Sequence, residues 1–306
     1  MKFTKMQGCG NDYVYVNCFE EEIPDRSALA IRLSERHFGI GSDGVIYICP
    51  SDKADFTMDM YNLDGSRGRM CGNGIRCVGK YVFDHKMTDK TEISIETLAG
   101  IKYLTLHLDA SGEKVESVTV DMGAPEFAAV KVPVDKNVIK KLAAENNYSL
   151  ESIKENLDSD ADNKENCIKE FPLIINNDKL NFTFVSMGNP HAVTFIDNTE
   201  TLDINAYGPK TEFHEIFPER ANVEFIKVVD GTHTEMRVWE RGSAETFACG
   251  TGACASVVAS YLNGLTDNKV SVKLLGGTLE IEYDYEHDRV LMTGPAVEVY
   301  NGNIDI

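Results

Sequence analysis

The sequence predicts a mixed α/β (α+β) fold made of two related halves, and three observations lead to this expectation. The chain has 306 residues, which is enough for one large domain or two ordinary ones. Short strand-like runs bounded by turn residues outnumber the helical patterns along its whole length. A short motif of cysteine and glycine occurs once in each half, and a helical segment follows it both times. We therefore expect each half to present one cysteine at the start of a core helix.

The strand-like runs are rich in β-branched and aromatic residues, and they cover 13–16, 45–48, 56–61, 118–120, 223–229, 270–274 and 278–283. Apolar spacing predicts one helix over 25–37 with Gly39 as its stop, and a second helix over 138–149. The stretch 158–169 is polar and acidic, so we expect it to be an exposed excursion.

Composition narrows the class of protein. The formal net charge is −19, from 30 Lys+Arg and 49 Asp+Glu, which repels phosphate backbones and argues against nucleic-acid binding. No run approaches the ~18 apolar residues of a membrane span, and residues 1–8 lack the apolar core of a secretory signal. We therefore expect a cytoplasmic protein whose eight cysteines are reduced thiols.

The repeated motif is Cys-Gly-x-Gly followed by a further cysteine. Residues 70–77 read Met-Cys-Gly-Asn-Gly-Ile-Arg-Cys, and residues 248–254 read Ala-Cys-Gly-Thr-Gly-Ala-Cys. Helical segments are predicted over 78–85 and 255–262. The second segment is apolar nearly all round and should therefore be buried, ending at Asn263 and Gly264.

Such a turn at a helix N-terminus offers free N–H groups to a carboxylate and favours a thiolate. A helix end supplies roughly 0.3–1 kcal/mol, or about 2 kcal/mol when partly buried, whereas one pKa unit is about 1.36 kcal/mol and a free thiol titrates near 8.5; this lowers the pKa of the thiol toward neutrality but hardly further. An effective base therefore needs neighbours. His191, in the turn-rich run 186–191, and Glu240, beside Arg241, are the histidine and carboxylate in comparable contexts. On pattern alone, a lone histidine is more often structural and a Glu-Arg pair more often lies on the surface.

Other uses of the cysteines fit less well. Five residues separate Cys71 from Cys77, and four separate Cys249 from Cys254 without a matching pair, which disfavours zinc. Cys-x-x-Cys is absent, and cysteine proteolysis leaves the repetition unexplained. Two equivalent cysteines suit inversion of a carbon stereocentre, in which one thiolate removes a proton and the opposite thiol delivers another. No phosphate cup with a Schiff-base lysine is evident, so pyridoxal phosphate is not implied.

Seven segments, in the same order, resemble motifs of the diaminopimelate epimerase family. The segment at 8–13, Gly-Cys-Gly-Asn-Asp-Tyr, is similar to the family's opening Gly-Leu-Gly-Asn-Asp-Phe. The others lie at 61–66, 70–76, 187–191, 219–223, 237–252 and 292–296. The two cysteine turns alone would also fit proline-racemase-like relatives, in which case the substrate would be proline or hydroxyproline. A cyclic amino acid has no distal carboxylate for Arg241 to bind, which disfavours that alternative.

The resemblance implies a cofactor-independent isomerase that converts LL-2,6-diaminopimelate to the meso isomer in lysine and peptidoglycan precursor synthesis. It implies that Cys71 and Cys249 are the acid/base pair, and that His191 and Glu240 modulate the pKa values of these cysteines. The substrate-binding residues that it implies are Asn11, Asn62, Gly72, Asn73, Asn189, Asn222, Glu240, Arg241, Gly250 and Thr251. No metal, nucleic-acid or membrane partner is expected.

The implied fold has two similar domains, each a curled sheet around a central helix, with the site in the cleft between them. The expected domains are 1–123, to which 295–306 returns, and 124–294. The resemblance also implies a homodimer with Tyr300 at its contact.

Three features depart from the family pattern. Cys9 stands where leucine is usual, and we interpret it as a substitute of similar volume rather than an oxidation liability. The connection over 136–169 is longer than expected, and we assign it no function. Gly44 replaces a side chain that reaches the substrate in some members.

Overall fold

The computed structural model describes residues 1–160 and 162–305, and the chain divides into two compact units. The first contains Met1–Asp121 together with the chain from Thr293 onward, and the second contains Met122–Met292. The expected domain boundaries, after residues 123 and 294, lie two residues beyond the observed boundaries, which follow Asp121 and Met292. Residue 161 of the stretch expected to be exposed, and residue 306 of the returning segment, lie outside the described residues.

The strands are β1 Lys2–Gly8, β2 Asn11–Asn17, β3 Gly44–Cys49, β4 Phe56–Asn62, β5 Arg67–Gly68, β6 Glu92–Thr97, β7 Gly100–Leu108, β8 Val115–Gly123, β9 Phe171–Ile175, β10 Asp178–Ser186, β11 Pro190–Phe195, β12 Asn222–Asp230, β13 His233–Glu240, β14 Ala244–Glu245, β15 Lys269–Leu274, β16 Gly277–Asp284, β17 Arg289–Pro295 and β18 Val297–Asn303. The α-helices are α1 Arg26–Ser34, α2 Gly72–Asp84, α3 Lys136–Asn146, α4 Lys154–Asp158, α5 Ile204–Glu212 and α6 Gly250–Leu262. Two 3₁₀ turns cover Glu151–Ile153 and Lys164–Asn166. Every predicted strand lies within one of these strands.

In the first unit, the sheet runs β18-β1-β2-β3-β4-β6-β7-β8, and β5 adds to β4. Helix α2 contacts β18, β1 and β2 near one end of this order and β7 near the other, so the sheet curls around it. The fit is close at Gly79, where an added Cβ would lie 2.9 Å from Leu106 and 3.0 Å from Leu104 of β7. The curled sheet around a central helix is thus present in this unit.

Alternation along the strands divides their side chains between two helices. Tyr15 of β2 donates a hydrogen bond from its hydroxyl to the Gly74 carbonyl of α2, at 3.1 Å. Its neighbours Val14 and Val16 belong to the hydrophobic cluster that also contains α1 residues. The two faces of β2 therefore form two separate layers of core.

The prediction for the end of α1 was wrong by three residues, since the helix stops at Ser34. Glu35 leaves the helical region at ψ 120°, and Gly39 then folds back so that its N–H donates to the Glu35 carbonyl at 2.9 Å. A Cβ at Gly39 would lie 2.3 Å from the Arg32 carbonyl oxygen. Gly39 therefore permits a close return over the helix end and is not the stop itself.

The second unit repeats the arrangement. Its sheet runs β9-β10-β11-β12-β13-β15-β16, with β14 added to β13. Helix α6 contacts β10, β11 and β12 as well as β15 and β16, so it too is enclosed by its sheet. Its residues Gly250 and 252–260 are buried, which confirms the prediction made from its apolar sequence. Helices α3 and α5 contribute to a separate, phenylalanine-rich cluster with β9, β10 and β12.

The expectation of an exposed excursion over 158–169 was wrong for part of that stretch. Cys167 and Ile168 are buried, and the Asp162 carboxylate accepts a hydrogen bond from the Ala128 N–H at 3.0 Å. The Lys164 ammonium lies 3.6 Å from the centre of the Tyr285 ring. Polar side chains in this stretch bind backbone N–H groups and an aromatic ring, and composition alone does not reveal these contacts.

No helix in the described part of the chain is long and apolar enough to cross a membrane.

Candidate active site

Cys71 and Cys249 occupy matching positions in the two units. Each is the N-cap of a 13-residue helix and has an extended backbone, with φ −130° and ψ 117° at Cys71 and φ −117° and ψ 110° at Cys249. The sulfur of Cys71 accepts a hydrogen bond from the Gly74 N–H at 3.3 Å, and that of Cys249 accepts one from the Gly252 N–H at 3.4 Å. Both helices begin directly after the cysteine, earlier than predicted, because the sulfur caps a glycine-rich first turn.

The second glycine of each turn, Gly74 or Gly252, is closely packed against a side chain. A Cβ at Gly74 would lie 2.6 Å from Cδ1 of Ile46, and a Cβ at Gly252 would lie 2.6 Å from Oε1 of Glu224. In both units, therefore, the first turn of the helix presses against the neighbouring strand. The cysteine sulfur caps this turn at the helix end, where free N–H groups and the helix dipole favour negative charge.

Amide and phenol groups surround Cys71. Its thiol donates to Oδ1 of Asn11 at 3.2 Å, and it also hydrogen-bonds Tyr13, whose pKa is raised well above its usual value by burial and then by the charge of the cysteine. The Asn11 amide donates in turn to Oδ2 of Asp43 at 2.7 Å, and Asp43 pairs with Arg36 at 2.8 Å. Cys71 itself is partly exposed.

Asn62 and Gly44 lie at the same end of the sheet as Tyr13. The register pairs Tyr13 with Gly44 and Gly44 with Asn62 across β2, β3 and β4. A Cβ at Gly44 would lie 2.2 Å from the Tyr61 carbonyl oxygen, so this position has no room for a side chain without rearrangement. The Asn62 amide donates to Ser66 Oγ at 2.9 Å. Asn73, in the first turn of α2, is buried.

Carboxylates surround Cys249, which is buried. The thiol hydrogen-bonds the Glu240 carboxylate, whose pKa is raised by burial, and the Thr246 hydroxyl also donates to Glu240. The pKa of Cys249 is raised well above its usual value, first by burial and then by the charges of Glu240 and Glu224. The hydrogen bonds from Thr251 and Gly252 only partly oppose this effect. Cys249 is therefore a neutral thiol at neutral pH.

A continuous chain of polar contacts links Cys249 to a buried acid. The Cys249 sulfur lies 3.5 Å from Thr251 Oγ1, which accepts a hydrogen bond from the Asn189 amide at 3.3 Å. Asn189 Oδ1 lies 3.1 Å from Nε2 of His191, and Nδ1 of His191 lies 2.7 Å from Oε1 of Glu224. His191 and Glu224 are fully buried. His191 is thus joined to Cys249 through two polar side chains and does not act by direct contact.

Asn222 and Arg241 belong to the same end of the second sheet. The register pairs His191 with Asn222 across β11 and β12. Oδ1 of Asn222 accepts a hydrogen bond from the Arg241 N–H at 2.9 Å. The exposed Arg241 guanidinium donates to the Glu219 carbonyl at 3.2 Å, whereas its backbone N–H is joined to Asn222.

Glu224 contacts the predicted site residue His191 and was missed by the sequence prediction. It lies in the predicted strand 223–229 between Val223 and Phe225, which both face the side of the sheet opposite to Glu224. All three are buried. An acid within a strand that is apolar on both faces must itself be buried, and this pattern could have indicated it. Tyr13 and Thr246 were also missed, and their identities alone give no such signal.

Cys9 and Tyr300, the two other residues singled out in the sequence, both lie in the first unit. Cys9 is buried, and its pKa is raised by burial more than the nearby Arg76 guanidinium lowers it; this favours the interpretation of Cys9 as a residue of suitable volume. Tyr300 lies on β18, is 45% exposed, and packs edge-on against Phe3 at 6.1 Å between ring centres. Within the described residues, no group of three or more metal-ligating side chains is present.

Comparison with known proteins decides between the families that would fit these two cysteine turns. Residues 3–128 and 183–299 match the family model described as Diaminopimelate epimerase, which is well over half of the chain. The chain belongs to the diaminopimelate epimerase family. It is therefore an isomerase of the amino-acid racemase and epimerase class. The diaminopimelate epimerase of Agathobacter rectalis is 54% identical over 306 residues, covering 100% of both chains. That of Acetivibrio thermocellus is 49% identical, covering 100% of this chain and 99% of the relative.

The fold is also found in distant proteins. The crystal structure of a phenazine biosynthesis protein of the PhzF family, from Bacillus anthracis, matches with a TM-score of 0.66 and 17% sequence identity, covering 100% of this chain and 99% of that one. At this identity the likeness shows the fold alone. It confirms the predicted α/β architecture of two similar domains, which members of the diaminopimelate epimerase family share with proteins of other function.

Proposed function

We propose that the chain interconverts LL-2,6-diaminopimelate and the meso isomer by a two-base mechanism, with Cys71 and Cys249 as the acid/base residues and without pyridoxal phosphate. The observation that supports this most is the pair of N-cap cysteines in matching geometry, one in each unit of a diaminopimelate epimerase family member. Inversion needs one group that removes the α-proton and a second that delivers a proton to the opposite face. Two equivalent thiols meet this requirement in both directions.

The surroundings of Cys249 support the role of proton donor in the first turnover. Burial and two carboxylates keep its thiol neutral, so Cys71 is assigned the removal of the α-proton. When Cys249 has given up its proton, a thiolate is left beside Glu240. The charges of Glu240 and Glu224 raise the pKa of Cys249, so this thiolate readily takes up a proton and the thiol is restored. Since two interacting thiols titrate together, this assignment concerns the resting state.

The helix ends supply the second part of the proposal. The free N–H groups of Gly72 and Asn73, and those of Gly250 and Thr251, would hold the reacting α-carboxylate, because helix N-termini bind anions. The same groups would stabilise the carbanion-like transition state as negative charge moves onto that carboxylate.

The distal amino-acid end of the substrate needs both donors and acceptors. Asparagine side chains supply both, and we assign this end to Asn11, Asn62, Asn189 and Asn222, with Glu240. The Arg241 guanidinium is exposed and donates to a neutral carbonyl. It would exchange this contact for the stronger, charge-assisted contact with a carboxylate.

The test is incubation of the metal-free, reduced protein with LL-diaminopimelate in D2O, without pyridoxal phosphate. Deuterium at the α-carbon and the configuration of that carbon are followed together. The proposal expects the meso isomer with deuterium at the inverted centre. Absence of both exchange and inversion in folded protein would refute the substrate assignment, and proline and hydroxyproline would then be assayed in the same way.

A homodimer in the cytoplasm is the remaining part of the proposal. Strand β18 pairs with β1 and carries three exposed apolar side chains, Val297, Val299 and Tyr300. A row of apolar residues on such a strand suits contact with a second copy. Sedimentation of the native chain and of Tyr300→Asp tests it, with a shift to the monomer expected in the variant.

A further inference from the structure

Two cysteines outside the proposed active site lie side by side in the first unit. Cys49 is the last residue of β3, and Cys18 directly follows β2. These strands are parallel, and Asn17 is the register partner of Ile48, so Cys18 and Cys49 form the next pair. The Cys18 N–H donates to the Ile48 carbonyl at 2.9 Å, which extends the ladder to this point. Neighbouring strands lie about 4.8 Å apart, within the roughly 4.4–6.8 Å between the Cα atoms of a disulfide.

The two side chains also meet. Registered residues of adjacent strands point to the same face of a sheet, and both cysteines pack with the cluster that contains Val16 and Tyr47. The Cys18 thiol donates a hydrogen bond to the Cys49 sulfur. This hydrogen bond, followed by the charge of Arg26, lowers the pKa of Cys49, whereas the pKa of Cys18 is raised.

Arg26 holds the pair in a defined environment. Its guanidinium lies 3.7 Å from the Cys18 sulfur and 2.6 Å from the Asp59 carboxylate, so it is fixed beside the thiols. Such a cation stabilises the thiolate, which is the reactive form of cysteine. Cys18 is partly exposed, which gives a small reagent access to the pair.

The pair is separate from the proposed catalytic residues. Asn11, which contacts Cys71, begins β2, and Cys18 follows its last residue. Seven residues of strand at about 3.3 Å each place roughly 20 Å between them. The proposed mechanism uses neither Cys18 nor Cys49, so it does not account for their pairing.

We propose that Cys18 and Cys49 are a redox modification site, at which a peroxide closes a disulfide between β2 and β3. One thiolate attacks the peroxide and becomes a sulfenic acid, with release of one water. The other sulfur displaces the hydroxyl group, forming the S–S bond and a second water. In total the two thiols lose two electrons and two protons, and the peroxide is reduced to two waters.

The test treats the reduced, full-length protein with hydrogen peroxide, blocks the remaining thiols, and maps peptides without reductant. Digestion with trypsin and a protease that cleaves before aspartate separates Cys9 from Cys18 and releases the peptides 12–24 and 43–51. The proposal expects these two peptides to be joined, with a loss of two hydrogens, and to separate on treatment with dithiothreitol. The melting temperature of the oxidised protein should rise, because the bond closes a loop in the unfolded chain.

Cys18→Ser is the matched variant, since its side chain is partly exposed and the change is small. It should fold, keep basal epimerase activity within twofold, form no joined peptide and show no rise in melting temperature with peroxide. Cys167→Ser, which removes an unrelated buried thiol, should still form the joined peptide. The proposal is overturned if peptides 12–24 and 43–51 stay unlinked while peroxide modifies other cysteines, or if Cys49 is oxidised to a sulfinic acid without a bond to Cys18.

Discussion

Cys71 and Cys249 share one local geometry and have different surroundings. Each caps a 13-residue helix and accepts a hydrogen bond from the third N–H after it. Cys71 is partly exposed and contacts Asn11 and Tyr13. Cys249 is buried and faces Glu240 and Glu224. The same motif therefore sits among amide and phenol groups in one unit and among carboxylates in the other.

Because the two helix ends match while their surroundings differ, the helix end alone does not decide the protonation state of either cysteine. A helix N-terminus contributes roughly 0.3–1 kcal/mol in favour of a thiolate, or about 2 kcal/mol when partly buried, which lowers the pKa by about 1.5 units at most, since one pKa unit is ~1.36 kcal/mol. At Cys249, burial and two carboxylates act in the opposite direction, and the net shift of the pKa is upward. Glu240 was expected to modulate the pKa of a cysteine; it contacts Cys249, and its charge favours the thiol.

The largest expected effect comes from removing either sulfur. Cys71→Ser and Cys249→Ser should each lower the rate of inversion by about 10³-fold, because a positioned acid or base contributes typically 10²–10⁴-fold and a serine hydroxyl does not ionise near neutral pH. The losses should be similar in spite of the different surroundings, since inversion needs both residues. Formation of the meso isomer measures the rate, and circular dichroism checks the fold. Turnover within tenfold of the parent in either variant would contradict the two-base assignment.

Glu240→Gln tests the carboxylate side of the comparison. We expect kcat to fall about 10²-fold, because Cys249 loses the carboxylate that hydrogen-bonds its thiol and keeps it protonated for its role as proton donor. The stability of the folded protein should increase in this variant, although its kcat falls. The pKa of Glu240 is raised in the folded protein, so its contribution is fully present below the unfolded value of 4.5 and is lost as pH rises through the folded value. Glutamine escapes this loss, and the melting temperature of the variant should exceed that of the parent at neutral pH.

Glu235→Gln is the matched control for the pH dependence. Hydrogen bonds from Lys227 and Lys273 lower the pKa of Glu235, so its contribution is present above the unfolded value and lost in acid. This variant should be less stable than the parent at neutral pH and should keep its activity. If both variants show the same sign in melting experiments at neutral pH, burial of Glu240 is not what raises its pKa.

Alkylation rates compare the two thiols directly. In the substrate-free protein near neutral pH, iodoacetamide should modify Cys71 at least about tenfold faster than Cys249, because the thiolate is the nucleophile and Cys249 is both buried and neutral. Timed labelling followed by peptide mapping gives both rates in one sample. Equal rates, or faster labelling of Cys249, would reverse the proposed roles of acid and base.

The smallest effects are expected from Gly74→Ala and Gly252→Ala, which change the second glycine of each cysteine turn. Alanine at either position gains about 0.5–1 kcal/mol of helix preference over glycine, against roughly 1–3 kcal/mol for overpacking. At Gly74 the added methyl meets the flexible end of Ile46, whereas at Gly252 it meets the buried Glu224 carboxylate. Both variants should lose about 1–2 kcal/mol in urea unfolding. Only Gly252→Ala should also change the pH profile of kcat, because it displaces the partner of His191. An unchanged profile would show that Glu224 has no part in setting the state of Cys249.

Much of the secondary structure could be predicted from the sequence. The strands over 45–48 and 223–229 appear as short β-branched and aromatic runs, because such residues fit a pleated, buried surface. The buried state of α6 followed from its apolar composition. Boundaries were less accurate: both central helices begin at the glycines after the cysteines, where helix preference alone disfavours a helix and a sulfur cap stabilises one.

By itself, the sequence determined the two cysteine turns, the α/β class and the resemblance to an epimerase family, because these depend on residues close together in the chain. Tertiary structure alone decided that the buried Glu224 pairs with His191, that Glu240 meets Cys249, and that Cys18 lies beside Cys49. Each of these contacts joins residues on different strands, or a strand and a helix end. Burial and charge then set the pKa of each thiol, and both depend on the neighbours that folding brings together.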